Sequence, residues 1–111
     1  MENNDKVLAA LLAALVSPVS SERENAADEI TDGHQNLTTS QIRSVVLALA
    51  QARLQEEDEA CQEAQLNALA DLKEWHSLDS NLFAELSRIG NIRDSQREYM
   101  ECLIGASPAT N

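Results

Sequence analysis

Few residues of this 111-residue sequence have the type and spacing that catalysis or metal binding requires. His34 and His76 fall at predicted helix ends, where an imidazole can cap free carbonyls and meet the negative end of the helix dipole. No pair of Cys or His residues has the spacing of a zinc site. The acidic run 56–59 lacks the alternating ligands and the central glycine of a calcium loop. We therefore expect neither a metal ion nor a cofactor.

Nucleophilic catalysis is not predicted either. A Ser or Cys nucleophile needs a base and an oxyanion hole, but the sequence contains no glycine-flanked nucleophile and no glycine-rich phosphate loop. Cys61 and Cys102 lie within apolar helical patterns, where a free thiol behaves as a small buried hydrophobe. Carboxylate pairs at helical spacing, such as Asp28 and Asp32, occur on most acidic helices and indicate no acid–base chemistry alone. We expect a protein that is not an enzyme.

The dominant chemical property of the chain is its acidity. Nineteen Asp and Glu residues oppose eight Lys and Arg residues, which gives a net charge of −11. Such a field repels nucleic acid and anionic membranes, and it attracts a basic protein and raises its association rate. Solubility alone is the alternative reason for the charge. The sequence predicts a basic protein partner, without binding to nucleic acid or membranes.

The composition predicts a small helical core in a single domain. Apolar residues make up 43% of the chain and only three are aromatic, so Leu, Ala, Ile and Val must fill the core. Such a core favours packed helices over sheets. The domain is expected to span residues 1–105, followed by a flexible tail over 106–111. The apolar run 7–16 is too short to cross a bilayer and lacks a basic start, which predicts a cytoplasmic protein.

Capping residues, glycines and a proline divide the chain into six predicted helices. Ser21 with Glu24 and Thr38 with Gln41 have the spacing of capping boxes, and the acidic run 56–59 favours the start of a helix. Short loops would join these helices into three antiparallel hairpins. The predicted ranges are roughly 4–16, 21–33, 38–54, 56–75, 80–89 and 92–104.

The second helices of the three hairpins resemble one another. Ala27, Leu66 and Met100 occupy matching positions at offsets of 39 and 34 residues, close to the period of α-solenoids. The segments Arg23–Ile30 and Glu63–Leu72 resemble the second helix of a HEAT repeat. This resemblance implies an all-α, HEAT-like solenoid of three hairpins, and an irregular helical bundle is the alternative.

The charge is divided unevenly between the two sets of helices. Charges on the first helices sum to zero, whereas the second helices carry the whole net charge of −11. In a right-handed solenoid the second helices line the concave side, so their acidic stripes would converge on one surface. Solvated outer faces and compensation of helix N-termini are the alternative reading. The candidate partner-binding acids are Asp28, Glu29, Asp32, Glu56, Glu59, Glu63, Glu74, Glu98 and Glu101.

Two aromatic residues are further candidates for partner binding. Trp75 and Tyr99 lie on second helices, and aromatic anchors dominate many interfaces when they are exposed. Trp75 falls near the end of the fourth predicted helix, where packing in the core is favoured. Its assignment to the interface therefore depends on its exposure.

Length, acidity and the lack of catalytic motifs make the chain resemble the small cytoplasmic immunity proteins of bacterial toxin systems. These include the immunity proteins of contact-dependent growth inhibition, some of which are HEAT-like. The resemblance implies an inhibitor that binds a basic nuclease toxin in a 1:1 complex and blocks entry of nucleic acid. The alternative function is a helical scaffold or adaptor that binds a protein partner, or self-associates through the apolar run 7–16.

Overall fold

The computed structural model describes the backbone of residues 2–105 and the side chains of residues 5–105. Over that range the protein is all-α, as predicted, with five α-helices, one nine-residue 3₁₀ helix, two three-residue 3₁₀ turns at His34–Asn36 and Asp94–Gln96, and no strand. The predicted tail at 106–111 lies outside the described residues. The helices are α1 (Glu2–Ala14), α2 (Ser20–Gly33), α3 (Thr39–Gln55), α4 (Glu59–His76), the 3₁₀ helix (Ser80–Arg88) and α5 (Arg97–Ile104).

The helices pack in two rows. Helix α1 packs against α2, α3 against α4, and the 3₁₀ helix against α5. The second members of these pairs also lie side by side, with α4 between α2 and α5, while α3 packs against the 3₁₀ helix. The HEAT-like solenoid stays a prediction, because an irregular bundle can make the same pairwise contacts.

Aliphatic side chains fill the core between the two rows. Leu49, Leu66, Leu69 and Leu72 are fully buried, and the ring of Phe83 is fully buried with them. Each buried side chain of this size stabilises the fold by about 1.5–3 kcal/mol. Buried positions recur every three or four residues along α3 and α4, which is the amphipathic pattern that holds these helices at the centre.

One of the two predicted capping boxes is present. Thr38 Oγ1 accepts a hydrogen bond from Gln41 N at 3.2 Å, and Gln41 Oε1 accepts one from Thr38 N at 2.8 Å. The box predicted for Ser21 and Glu24 is wrong, because α2 begins at Ser20 and has no side-chain cap. Ser17 stabilises the segment that leads into α2 instead. Its hydroxyl accepts a hydrogen bond from Val19 N at 3.0 Å and donates one to Glu22 at 2.6 Å.

Helix α4 begins three residues later than predicted. The carboxylate of Asp58 accepts a hydrogen bond from Cys61 N at 3.0 Å, and this bond lowers the pKa of Asp58. Asp58 is therefore the N-cap, and Glu56 lies outside the helix. Helix α4 ends at His76 because Ser77 adopts the left-handed conformation, with φ of 53°.

The last third of the chain is less regular than predicted. The fifth predicted helix forms as the 3₁₀ helix, and Asp79 caps it by accepting from Asn81 N at 2.8 Å. The sixth predicted helix forms as α-helix only from Arg97, after a 3₁₀ turn at Asp94–Gln96. It ends at Gly105, whose φ of +80° suits a residue without a Cβ.

Candidate functional site

Most of the predicted partner-binding acids are exposed on three helices that lie side by side. Helix α4 packs against both α2 and α5, so the acidic side chains of these helices belong to one row. Glu63 is half-buried, and the other seven acids of this set are exposed. We call this set the acidic row: Asp28, Glu29 and Asp32 on α2, Glu59, Glu63 and Glu74 on α4, and Glu98 and Glu101 on α5.

Glu56 does not belong to the acidic row, although the sequence analysis included it. Its side chain is 2% exposed. Arg23 Nε and Nη2 donate to its two carboxylate oxygens at 2.9 and 2.8 Å, which is a bidentate ion pair. Because Arg23 occupies this carboxylate and the surrounding helices cover it, Glu56 is not available to a basic partner.

The contacts of Glu56 join α2 to the start of α4. Gln65 Nε2 donates to the carboxylate at 2.9 Å, and Asp58 N donates to it at 3.2 Å. Burial acts to raise the pKa of Glu56, but the hydrogen bonds from Arg23, Asp58 and Gln65 outweigh it and lower the pKa below its ordinary value. We call Arg23, Glu56 and Gln65 the Glu56 cluster. Cys61 lies next to this cluster, and its thiol donates to Ser20 O at 3.0 Å.

A second buried polar network joins α3 and α4 to the segment before α5. Arg53 is fully buried, and its guanidinium donates to Gln96 Oε1 at 2.8 Å and to Asn91 Oδ1 at 3.2 Å. Burial lowers the pKa of Arg53 to about 10. Gln62 Oε1 accepts from Gln96 Nε2 at 3.0 Å and from Arg93 Nε at 2.9 Å. Arg53 therefore stabilises the fold, and its charge is not exposed at the surface.

A groove of about 360 Å³ separates α4 from α5 and contains three of the predicted binding residues. The carboxylates of Glu63 and Glu98 and the ring of Tyr99 line it together with small side chains. Ser95 Oγ donates to Glu63 Oε2 at 2.8 Å, which orients that carboxylate. Tyr99 is half-buried and packs against the core, so its ring forms a fixed wall. Carboxylates beside an aromatic ring can accept a Lys or Arg side chain.

Trp75 is exposed, and the packing in the core favoured for it is wrong. Its side chain is 63% exposed at the C-terminal end of α4. The imidazole of His34 is its nearest aromatic neighbour, edge to face, with 6.1 Å between the ring centroids. Trp75 therefore meets the condition under which it was proposed as an interface anchor, and Glu74 beside it is exposed as well.

The two histidines form a cluster that the sequence analysis missed. His34 is fully buried, with its Nε2 2.7 Å from Asp71 Oδ2 and its Nδ1 3.0 Å from His76 Nε2. The imidazoles were expected to cap helix carbonyls, yet His34 uses both ring nitrogens on side chains of α4. We call His34, Asp71 and His76 the histidine cluster. Burial lowers the pKa of His76, and the charge of His34 lowers it further.

The relative direction of α2 and α4 explains both clusters. Arg23 near the start of α2 meets Glu56 just before α4, and His34 directly after α2 meets Asp71 and His76 at the end of α4. The two helices therefore run parallel, with one polar cluster at each end. Both histidines fall at the end of a second helix, and this shared position was the sequence signal for their contact.

Metal-binding groups and membrane-spanning helices are absent from the part of the chain that the structure describes. Between residues 2 and 105, no group of three or more His, Cys, Asp and Glu side chains is arranged to hold a metal ion. No helix in the same range has the length and hydropathy to cross a membrane. Cys61 is buried, whereas Cys102 is exposed, against the expectation that both thiols are buried.

Comparisons with protein-family models, curated proteins and solved structures give no match.

Proposed function

We propose that this protein is an immunity-type inhibitor that binds and neutralises a basic toxin, a nuclease, through the acidic row. The supporting observation is that α2, α4 and α5 are adjacent and carry eight acids that are exposed or half-buried. A nuclease must present Lys and Arg to hold a phosphate backbone, so its active-site surface complements such a row. An inhibitor on that surface excludes the nucleic acid.

The side chains around the acidic row are suited to tight binding as well as to steering. Exposed charge alone mainly raises the association rate, whereas a buried aromatic anchor contributes most of the affinity. Trp75 at one end of α4 and Tyr99 in the groove between α4 and α5 provide rings close to carboxylates. An arginine of the partner can pair with Glu63 or Glu98 while it stacks on Tyr99.

The experiment is capture of the partner from a lysate of the source cells, followed by an assay of the captured protein. We expect a basic nuclease whose activity falls with increasing inhibitor to a 1:1 endpoint, and whose association slows as salt rises. A captured partner that is neutral, or a complex whose association rate does not change with salt, contradicts the proposal.

Matched charge reversals distinguish an effect of the acidic row on association from an effect of net charge. Asp28→Lys with Asp32→Lys changes the row on α2, and Asp5→Lys with Glu85→Lys makes the same change in net charge at exposed sites on the other row. At low salt we expect the first pair to slow association at least about tenfold and the second pair to have a much smaller effect. Equal effects of the two pairs would show that net charge, and not this surface, governs binding.

The second candidate function is a scaffold or adaptor that associates through α1. Helix α1 packs against α2 and leaves apolar side chains uncovered: Val7 is 58% exposed, and Val16, two residues beyond the end of α1, is 75% exposed. Ala9, Ala10 and Ala13 are exposed between them. Sedimentation at low and high salt tests this function: association through α1 is insensitive to salt and is abolished by Ala10→Glu, whereas binding through the acidic row survives that change.

A further inference from the structure

The histidine cluster joins two parts of the chain that are distant in sequence. His34 follows α2, whereas Asp71 and His76 lie on the last turns of α4, 37 and 42 residues further along. His34 is fully buried, so its hydrogen bonds are shielded from water. Loss of either bond leaves a buried polar nitrogen unpaired, which destabilises the fold.

The geometry fixes where protons can lie. His34 Nε2 carries a proton and donates it to the Asp71 carboxylate, because a carboxylate at 2.7 Å is an acceptor. A single proton then lies between His34 Nδ1 and His76 Nε2, which are 3.0 Å apart. The cluster can therefore hold one positive charge and keep both hydrogen bonds. When both imidazoles are protonated, the two facing nitrogens both carry hydrogen and their bond is lost.

We propose that the histidine cluster is a pH-sensitive contact, which holds the end of α2 against the end of α4 while at most one of the two imidazoles is protonated and opens when both are protonated. The groups that face His76 are few. His34 and Asp71 are the titratable neighbours that act on it. His76 also lines a hollow of about 120 Å³ together with Leu37, Thr39, Ile42 and Leu78, none of which titrates.

The direction of the pH dependence follows from the loss of the bond between His34 and His76 when both imidazoles are protonated, and the lowered pKa of His76 agrees with it. In the unfolded chain the imidazole of His76 titrates at about pH 6.5. The folded protein disfavours its protonation, so the stability from this contact is fully present above that pH and is lost as the pH falls below it. The contact therefore opens on mild acidification.

Trp75 reports on this contact directly. It is the one tryptophan of the chain, and its ring contacts His34 edge to face. We expect its fluorescence in the full-length protein to change in one transition below about pH 6.5. The thermal midpoint should fall by about 5 °C between pH 7.5 and pH 5. His76→Gln should remove both effects, while Glu74→Gln, which changes an exposed neighbour, should retain them.

A second measurement on the unsubstituted protein does not depend on the folding of any variant. The chain has only two histidines, so NMR can follow both imidazoles. We expect His76 to titrate below pH 6.5, together with the Trp75 transition, and amide protection of residues 34–37 to fall at the same pH. Constant Trp75 fluorescence and unchanged amide protection from pH 8 to pH 5 would overturn the proposal. These readouts need no partner, so the proposal stands or fails separately from the proposed function.

Discussion

The two ends of the α2–α4 pair are joined by different chemistry. At the start of the helices, Arg23 and Glu56 form a bidentate ion pair whose carboxylate is 2% exposed. At their end, the fully buried His34 pairs with Asp71, whose side chain is 45% exposed, and with the neighbouring His76. Both ends join a charged or titratable side chain of α2, or of the residue that follows it, to such groups on α4 or just before it, yet they differ in burial and in the pH at which they take up a proton.

This difference gives the two ends different pH ranges. The pKa of Glu56 is lowered in the folded protein, so its contribution to stability is present above about pH 4.3 and is lost as the pH falls through the folded pKa. The contribution of His76 is already lost below about pH 6.5. Between these values the Glu56 cluster holds while the histidine cluster opens. Within this pH range only the histidine end of the α2–α4 pair responds to pH.

The largest effect is expected from removing the arginine of the Glu56 cluster. Arg23→Met leaves a buried carboxylate without its cation, and loss of one partner of a buried pair costs about 3–5 kcal/mol. Urea unfolding followed by circular dichroism measures this loss. Arg97→Met is the control, because Arg97 and Asp94 are 45% and 96% exposed and such pairs contribute about 0–1 kcal/mol. Equal losses in the two variants would contradict the structural role of the Glu56 cluster.

The double variant Arg23→Met with Glu56→Gln sharpens this result. It removes the buried charge together with its partner, so much of the stability lost in Arg23→Met should return. If the double variant is as unstable as the single one, lost packing of the arginine side chain explains the effect, and charge pairing does not.

The thiol of Cys61 is a chemical reporter of the end of the α2–α4 pair that contains the Glu56 cluster. Burial raises the pKa of the Cys61 thiol to about 12, and Asp58 and Glu56 add to the effect. Its thiolate fraction at pH 8 is then about a thousandfold below that of an unperturbed thiol. We expect a thiol reagent to label the exposed Cys102 rapidly and Cys61 only on unfolding. Rapid labelling of both thiols in the native protein would contradict the packing of Ser20, Cys61 and the Glu56 cluster.

Thiol labelling of Cys61 and fluorescence of Trp75 together report on the two ends of the α2–α4 pair separately. Arg23→Met should expose Cys61 to the reagent at pH 8 without changing Trp75 fluorescence. His76→Gln should change Trp75 fluorescence and leave Cys61 protected. A variant at one end that alters both reporters would show that the α2–α4 pair opens as one unit.

The sequence predicted the helices better than the contacts between them. Apolar periodicity and the Thr38–Gln41 box predicted the all-α class and the start of α3, because both signals act within one helix. Glu56 was predicted to be exposed and is buried, whereas Trp75, for which packing in the core was favoured over an exposed interface position, is exposed. Burial depends on which helix lies opposite, and the local sequence does not specify that helix. Arg23 and Glu56 are 33 residues apart, and no local pattern links them. Acidity alone did not distinguish an exposed carboxylate from one that is buried in the fold.

The smallest effect on stability is expected at the acids that the proposed function uses. Asp28 and Asp32 are exposed, in contrast to Glu56. Replacing both by Asn removes two charges from α2 and leaves no buried group unpaired, so the free energy of unfolding should change by less than about 0.5 kcal/mol per site. Association with a basic partner should nevertheless slow at low salt and be little changed at high salt. A large loss of stability in this variant would assign both carboxylates to the fold, and the acidic row would then lose its contribution from α2.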